Sequence, residues 1–334
     1  MIGSRARPNP LWLDDEHVVV GDVSLTVVDW GAHFRGEPPD PLDLRKTRDI
    51  VDAYAAVLPD PAPTGSPGPV VVELGLHTSG SAAYLLAALP DATVVTVDVS
   101  PHPVPQLADL AARLGAGSRL HVLQPLDQTD ARLGDRIDEV VGSAPLNLVI
   151  DDASHRAGPT VASFEVLFPR LAPGGRYVIE DWGQAIPWAQ VLLDALGGVG
   201  PRPVADIEGA LAGLLDTGAS AMARASLVPW VATALTDSTL AHHTLVRAWW
   251  DDLGNRDDPA ARTLVEQLGG PADEPPLAAL AAELITAPIT RPDVVVAVRL
   301  TRHWIEIERG PASLDPTTFR WHDVASDPLG VLRR

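Results

Sequence analysis

Short apolar runs alternate with stretches of helical period through the middle of the chain. VVVEL at 70–74, TVVTVD at 93–98, RLHVLQ at 119–124, LNLVID at 146–151 and RYVIED at 176–181 have strand length. The segments between them, at 79–89, 104–114, 131–140 and 159–171, repeat their apolar residues at helical spacing. Such alternation predicts an α/β fold, a doubly wound and mostly parallel sheet with right-handed crossovers and helices on both faces. The runs are apolar on successive residues, as strands buried on both faces require.

Outside this core the pattern changes. Residues 18–20 and 23–28 predict a short hairpin across Gly21 and Asp22, a helix follows over 43–58, and the Pro/Gly-rich stretch 59–69 reads as a linker. From 188 to about 284 the chain is Ala/Leu-rich and helical in period, which predicts a helical insertion or cap. Strand character returns at 294–300 and 304–308, a C-terminal antiparallel hairpin that would finish the sheet. The division that results is an irregular segment and helix at 1–66, a core at 67–187, the insertion at 188–288, and the final strands and tail at 289–334.

Composition narrows the chemistry. A formal net charge of −19 argues against nucleic acid or an anionic membrane as partner, because a binder of phosphates needs a basic face. With no cysteine there is no disulfide, no thiolate ligand and no cysteine nucleophile, so the candidate metal ligands are oxygen groups. The first 17 residues lack the apolar segment of a secretory signal, and no later run is long and apolar enough to span a bilayer. The expectation is a soluble, cytoplasmic homo-oligomer acting on a small molecule.

The first core strand runs into ELGLHTSGS, Glu73 to Ser81, and the second ends in Asp98. In a doubly wound fold this first turn needs small residues so that the backbone can approach a ligand, and Gly75, Ser79, Gly80 and Ser81 supply them. An acid at the end of the second strand can accept both hydroxyls of a ribose. Together they suggest an adenosine-containing cofactor. A dinucleotide fingerprint would need glycine where His77 stands, and Glu73 would set a negative charge near its phosphates. S-adenosylmethionine, which is cationic and carries no phosphate, suits the loop better. Asp127 and Gln128, after the third strand, fall where an adenine edge would lie, though taken alone they read more readily as the N-terminal cap of the next helix.

The fourth and fifth strands both end in paired acids, Asp151-Asp152 and Glu180-Asp181, with His155 just beyond the first pair. Neighbouring parallel strands lie roughly 4.8 Å apart, so acids at their carboxyl ends can share a small cation. Asp152, Glu180 and Asp181 are the candidate ligands, and an oxygen-only set with open positions fits Mg²⁺. Asp151, one residue back, should point the other way, toward the cofactor. His155 is the candidate base for a hydroxyl whose pKa the cation lowers. Each of these residues also has a plainer reading, the acids as solvated strand ends and His155 as a capping or surface residue. Trp182, Trp188, Trp249 and Trp250 could line an acceptor pocket or belong to a core.

The span from 70 to 182 resembles the class I S-adenosylmethionine-dependent methyltransferases. DDASH at 151–155, LFPRLAPGG at 167–175 and VIEDW at 178–182 are similar to the metal-dependent macrolide sugar O-methyltransferases of the mycinamicin type, and more loosely to cephalosporin hydroxylase-like proteins. The resemblance implies a Rossmann-like methyltransferase fold, Mg²⁺ on Asp152, Glu180 and Asp181, and His155 as base. It also implies a donor loop of Glu73, Gly75, Gly80 and Ser81 with Ser79 in place of a glycine, and a further donor contact at Asp127 and Gln128, where Leu126 replaces the usual glycine. The expected activity is Mg²⁺-assisted methyl transfer to a hydroxyl of a glycosylated or polyketide-like small molecule. A noncatalytic S-adenosylmethionine-binding protein, or a hydroxylase-like or NAD-dependent enzyme on the same scaffold, are the alternatives.

Overall fold

The computed structural model describes residues 8–28, 40–63, 65–182, 277–301 and 303–325. Contacts divide the chain into two compact units, one of Met1–Ser154, Gly158–Trp182 and Leu280–Arg334, the other of His155–Ala157 and Gly183–Ala279. Nearly all of the second unit lies outside the described residues, and with it most of the expected insertion and Trp188, Trp249 and Trp250.

In the first unit, β1 (Leu11–Trp12), β2 (His17–Val20) and β3 (Val23–Thr26) form a small antiparallel sheet. Helix α1 (Arg48–Val57) follows, and then the core alternation: β4 (Val70–Leu74), α2 (Gly80–Ala88), β5 (Thr93–Val97), α3 (Pro105–Arg113), β6 (Leu120–Leu123), α4 (Leu133–Val141), β7 (Leu146–Asp151), α5 (Ala157–Leu167) and β8 (Leu171–Glu180). Two short helices, α6 (Ala278–Leu284) and α7 (Ala287–Thr290), lead into β9 (Val295–Leu300) and β10 (Trp304–Arg309). The main sheet has the order β6-β5-β4-β7-β8-β10-β9. Strands β4 to β8 are parallel, and β10 runs antiparallel to both β8 and β9. The doubly wound sheet and its closing hairpin are those the apolar pattern predicts.

Strand β4 lies inside the sheet between β5 and β7, and all five of its residues are buried. From it the chain winds outward through β5 to β6, then returns past β4 to β7 and β8, so the winding direction reverses between β4 and β7. In such sheets the carboxyl ends of the two strands at the reversal open a crevice that takes ligands. Helix α2 is buried at every position. The reason is that it packs on β5 of the main sheet and also against β2 and β3 of the small one, and a helix covered all round must be apolar all round.

Two boundaries depart from the expectation. Helix α1 starts at Arg48, not at 43, because Thr47 caps it by accepting from the Ile50 amide, while Leu44 exchanges backbone hydrogen bonds with Thr26 and Val28 beside β3. Strand β8 begins at Leu171, five residues before 176. Its Pro173-Gly174-Gly175 stretch, which reads as a loop, is carried within the strand, with Gly174 at φ +80° and a shift in the pairing with β7 between Leu146 and Leu148.

Candidate functional site

The turn after β4 is built backbone against backbone. Gly75 has φ +93°, and a Cβ on it would lie 2.1 Å from the Asp152 carbonyl oxygen, so this position excludes any side chain. Gly80 opens α2 under the segment that carries Asp43, whose carbonyl oxygen would be 2.1 Å from an added Cβ. Thr78 clasps that segment, donating its hydroxyl to the Asp43 carbonyl while its own carbonyl accepts from the Leu42 amide. Between the two glycines the backbone is left-handed at His77 and Ser79, and it is left-handed again at His155 and Asp181. Left-handed conformations at non-glycine residues gather where the surrounding structure fixes them, commonly at functional loops.

Glu73 is 0% exposed at the end of β4, with only the Ser81 side chain nearby to offset its burial. Burial pushes its carboxyl up to about 8. Such a group suits a cationic ligand. Asp98 accepts from the Leu76 amide at 2.7 Å, the His77 amide at 3.2 Å and the Ser100 amide at 2.7 Å. It fixes the shape of the β4–α2 turn from the end of the neighbouring strand. Asp127 accepts from the amide and hydroxyl of Thr129, both at 2.7 Å, which is the turn-capping role.

Asp151 and Gln128 form a second, buried cluster. Asp151 accepts from Ser163 Oγ at 2.9 Å and from the Tyr177 hydroxyl at 3.0 Å, with the Gln128 amide nitrogen at 3.3 Å. Gln128 turns its carbonyl oxygen to the Ser154 amide, 3.0 Å away. The network ties the β6–α4 loop to the end of β7 and to α5 and β8. Asp151 thus points into the protein, and with Gln128 it sets the course of the chain between Asp152 and His155.

Asp152 and Asp181 close the ends of β7 and β8, and their carboxylate oxygens lie within 4.8 Å of one another. Glu180, 1% exposed, is turned to a different pair of partners. Its Oε1 accepts from the Tyr54 hydroxyl at 2.5 Å, and its Oε2 lies 2.6 Å from the Lys46 ammonium, which also contacts Asp152. Lys46 is 6% exposed. Burial alone would lower its pKa, yet Asp152 and Glu180 hold it well above the ordinary lysine value, so it stays charged. Burial and the Glu180 charge likewise keep the proton on Tyr54.

Lys46 and Tyr54 are the participants that motif reading does not reach. They come from the segment before α1 and from α1 itself, 106 and 126 residues from their partners Asp152 and Glu180. One signal for Lys46 was present: it is the only lysine in the chain, against 24 arginines. His155 belongs to the second unit; it follows Asp152 by three residues and adopts φ +53°.

The sequence matches a family model described as a methyltransferase domain over residues 72–182, from β4 through β8. It is 50% identical over 56 residues to the 8-demethyl-8-alpha-L-rhamnosyl tetracenomycin-C 2'-O-methyltransferase of Streptomyces olivaceus, covering 16% of this chain and 14% of that protein. It is 51% identical over 55 residues to the mycinamicin VI 2''-O-methyltransferase of Micromonospora griseorubida, covering 16% and 13%. The chain thus spans about one seventh of the length of these two relatives. It is 30% identical over 222 residues to the release factor glutamine methyltransferase of Cereibacter sphaeroides, covering 63% of this chain and 69% of that protein. Among solved structures, a MycE methyltransferase of the mycinamycin biosynthetic pathway in complex with Mg and SAH is 19% identical at a TM-score of 0.37, covering 84% of this chain and 52% of that one. By the domain match across its core and its likeness to most of the release factor enzyme, the chain belongs to the S-adenosylmethionine-dependent methyltransferases.

Proposed function

We propose that this protein transfers a methyl group from S-adenosylmethionine to a hydroxyl of a glycosylated, polyketide-like small molecule, with the help of a divalent cation, Mg²⁺ in the first instance. One observation carries the reading most: the Asp152 and Asp181 carboxylates approach within 4.8 Å, and the Asp152 backbone packs directly on the glycine of the β4–α2 turn. A cation site and a donor loop then share one edge of the sheet. The two relatives that are half identical over their short matches are named as sugar O-methyltransferases, and the formal charge of −19 favours an acceptor other than nucleic acid.

The residues present support a donor site and a cation site, with Glu180 joining the latter only when Lys46 and Tyr54 release it. Glu73, a buried acid, suits the cationic donor, and Asp98 at the end of β5 keeps acceptor capacity for a ribose hydroxyl beside the three amides it already accepts. S-adenosylmethionine supplies an electrophilic methyl group on a cationic sulfur. Asp152, Glu180 and Asp181 offer hard oxygen ligands to a divalent cation, which would lower the pKa of the acceptor hydroxyl. His155, three residues beyond Asp152, is proposed to take the hydroxyl proton as the methyl group transfers.

Calorimetric titration of S-adenosylmethionine and S-adenosylhomocysteine, followed by a screen of glycosylated acceptors with labelled donor, tests the whole. Donor binding and cation-dependent labelling of a sugar hydroxyl are expected. His155→Ala should lose turnover by roughly 10²-fold or more, the scale of a removed general base, with donor affinity unchanged. A protein that binds neither donor nor product would sink the proposal, and wild-type rates in His155→Ala would remove that residue's role.

A further inference from the structure

We infer that Lys46 is an internal occupant of the acid site, an ammonium that stands where a divalent cation would bind and must withdraw before one can. The inference rests on the metal reading above. The Lys46 ammonium lies against both Asp152 and Glu180, and the other oxygen of Glu180 is taken by the Tyr54 hydroxyl. Two of the three proposed ligands are therefore engaged by a positive charge that the chain itself supplies.

The choice of side chain fits this role. The chain draws on arginine for 24 of its 25 Lys and Arg residues, and its one lysine is here. A guanidinium is a broad planar fork, whereas an ammonium is a compact point charge on a flexible stem and most nearly imitates a small metal ion. Held on the same two carboxylates, an ammonium and a divalent cation would sit within a few ångströms of each other. Like charges so close in a shielded site repel strongly. The two are alternatives.

The backbone that bears Lys46 is held in place. Leu42 donates to the Thr78 carbonyl, Leu44 donates to the Thr26 carbonyl, and Thr78 donates to the Asp43 carbonyl. Withdrawal is thus a rotation of the four-carbon stem, with the segment staying on the donor loop. Lys46 thereby keeps the acids charge-compensated when no metal is present and sets how tightly a metal binds.

Two measurements on the full chain test this. Mg²⁺ and Mn²⁺ are titrated calorimetrically into wild type, Lys46→Met and Lys46→Arg. Losing the charge in Lys46→Met should tighten cation binding by roughly tenfold or more, while Lys46→Arg, which keeps the charge, should gain nothing. In parallel, wild type is reductively methylated with isotopic formaldehyde and the ε-amine of Lys46 is followed by mass spectrometry beside the α-amine. Lys46 should react slowly in chelator and several times faster at saturating Mg²⁺, with the α-amine rate unchanged. Unchanged or weaker cation binding in a folded Lys46→Met overturns the inference, as does a labelling rate that saturating cation leaves unmoved. If Lys46→Met does not fold, the wild-type labelling decides. Cation binding with no response at Lys46 defeats the inference alone, whereas no cation binding to any of the three proteins defeats the metal reading with it.

Discussion

Glu73 is a buried acid whose proton is coupled to folding. Its carboxyl is raised to about 8 by burial, while in the unfolded chain it titrates in the ordinary range. Between the two values the folded protein keeps a proton that the unfolded chain has lost. Its contribution to stability is therefore fully present below the unfolded pKa, fades as pH rises toward about 8, and is flat beyond. In protein free of donor and metal, Glu73→Gln should flatten this decline, which urea midpoints at a series of pH values from about 5 to 9 would read; parallel curves for variant and wild type would refute it. Gly75→Ala is a steric test of the same turn. With φ +93° and a backbone oxygen 2.1 Å from the new Cβ, it should lose about 2–4 kcal/mol in denaturant unfolding. That the turn after β4 needs small residues is legible in the sequence, because a strand-to-helix turn has few solutions, but that Gly75 packs on Asp152 and Gly80 on Asp43 is seen only in the fold. Asp151 could not be assigned that way: alternation along β7 separates it from Asp152 correctly, but only the fold shows that Ser163, Tyr177 and Gln128 wait on the side to which it turns.

At the scale of elements, the acid site depends on how α1 and β10 flank β8. Trp304 opens β10 opposite Glu180 in the strand pairing, is 2% exposed, and stacks on Tyr54 with ring centroids 5.9 Å apart. Trp304→Ala should cost about 3–5 kcal/mol through the cavity it leaves, measurable by urea denaturation, and Trp304→Phe should recover much of that loss. A loss under about 1 kcal/mol for the alanine variant would mean that the site collapses around the gap. Strand-length apolar runs foretold β4, β5, β7 and β10 to within a residue or so, since burial on both faces leaves little freedom in composition. The start of α1 is not legible in the sequence because Leu44 fits a helical stripe and a bridging position equally well, and the choice is made by β3, a tertiary partner. Likewise the early start of β8 was hidden by a Pro-Gly-Gly run that only an irregular pairing with β7 accommodates.

For the whole molecule, the parallel sheet and its closing hairpin follow from the alternation of apolar runs and helical segments, whereas the order of the seven strands is seen only in the fold. Among the described residues no helix is long and apolar enough to cross a membrane. The net charge of −19 leads to a prediction at this scale: fluorescence anisotropy with random single-stranded RNA should show no binding at low salt, where counterion release favours association most. Saturable binding that weakens with added salt would reopen nucleic acid as a partner. What composition could not supply was the meeting of the segment before α1 with the ends of β7 and β8, because contacts made across more than a hundred residues leave no local period to read.

The clasp between the Asp43 backbone and Gly80 has a consequence for redesign. Since there is no room for a side chain at position 80, loop grafting at the donor turn cannot be treated separately from the segment that precedes α1. A transplanted turn with a larger residue at that position would dislodge the 40–47 backbone, and with it the ammonium resting on Asp152 and Glu180. Chimeras that exchange donor loops between proteins of this kind should therefore exchange residues 40–58 and 73–81 together, as one cassette.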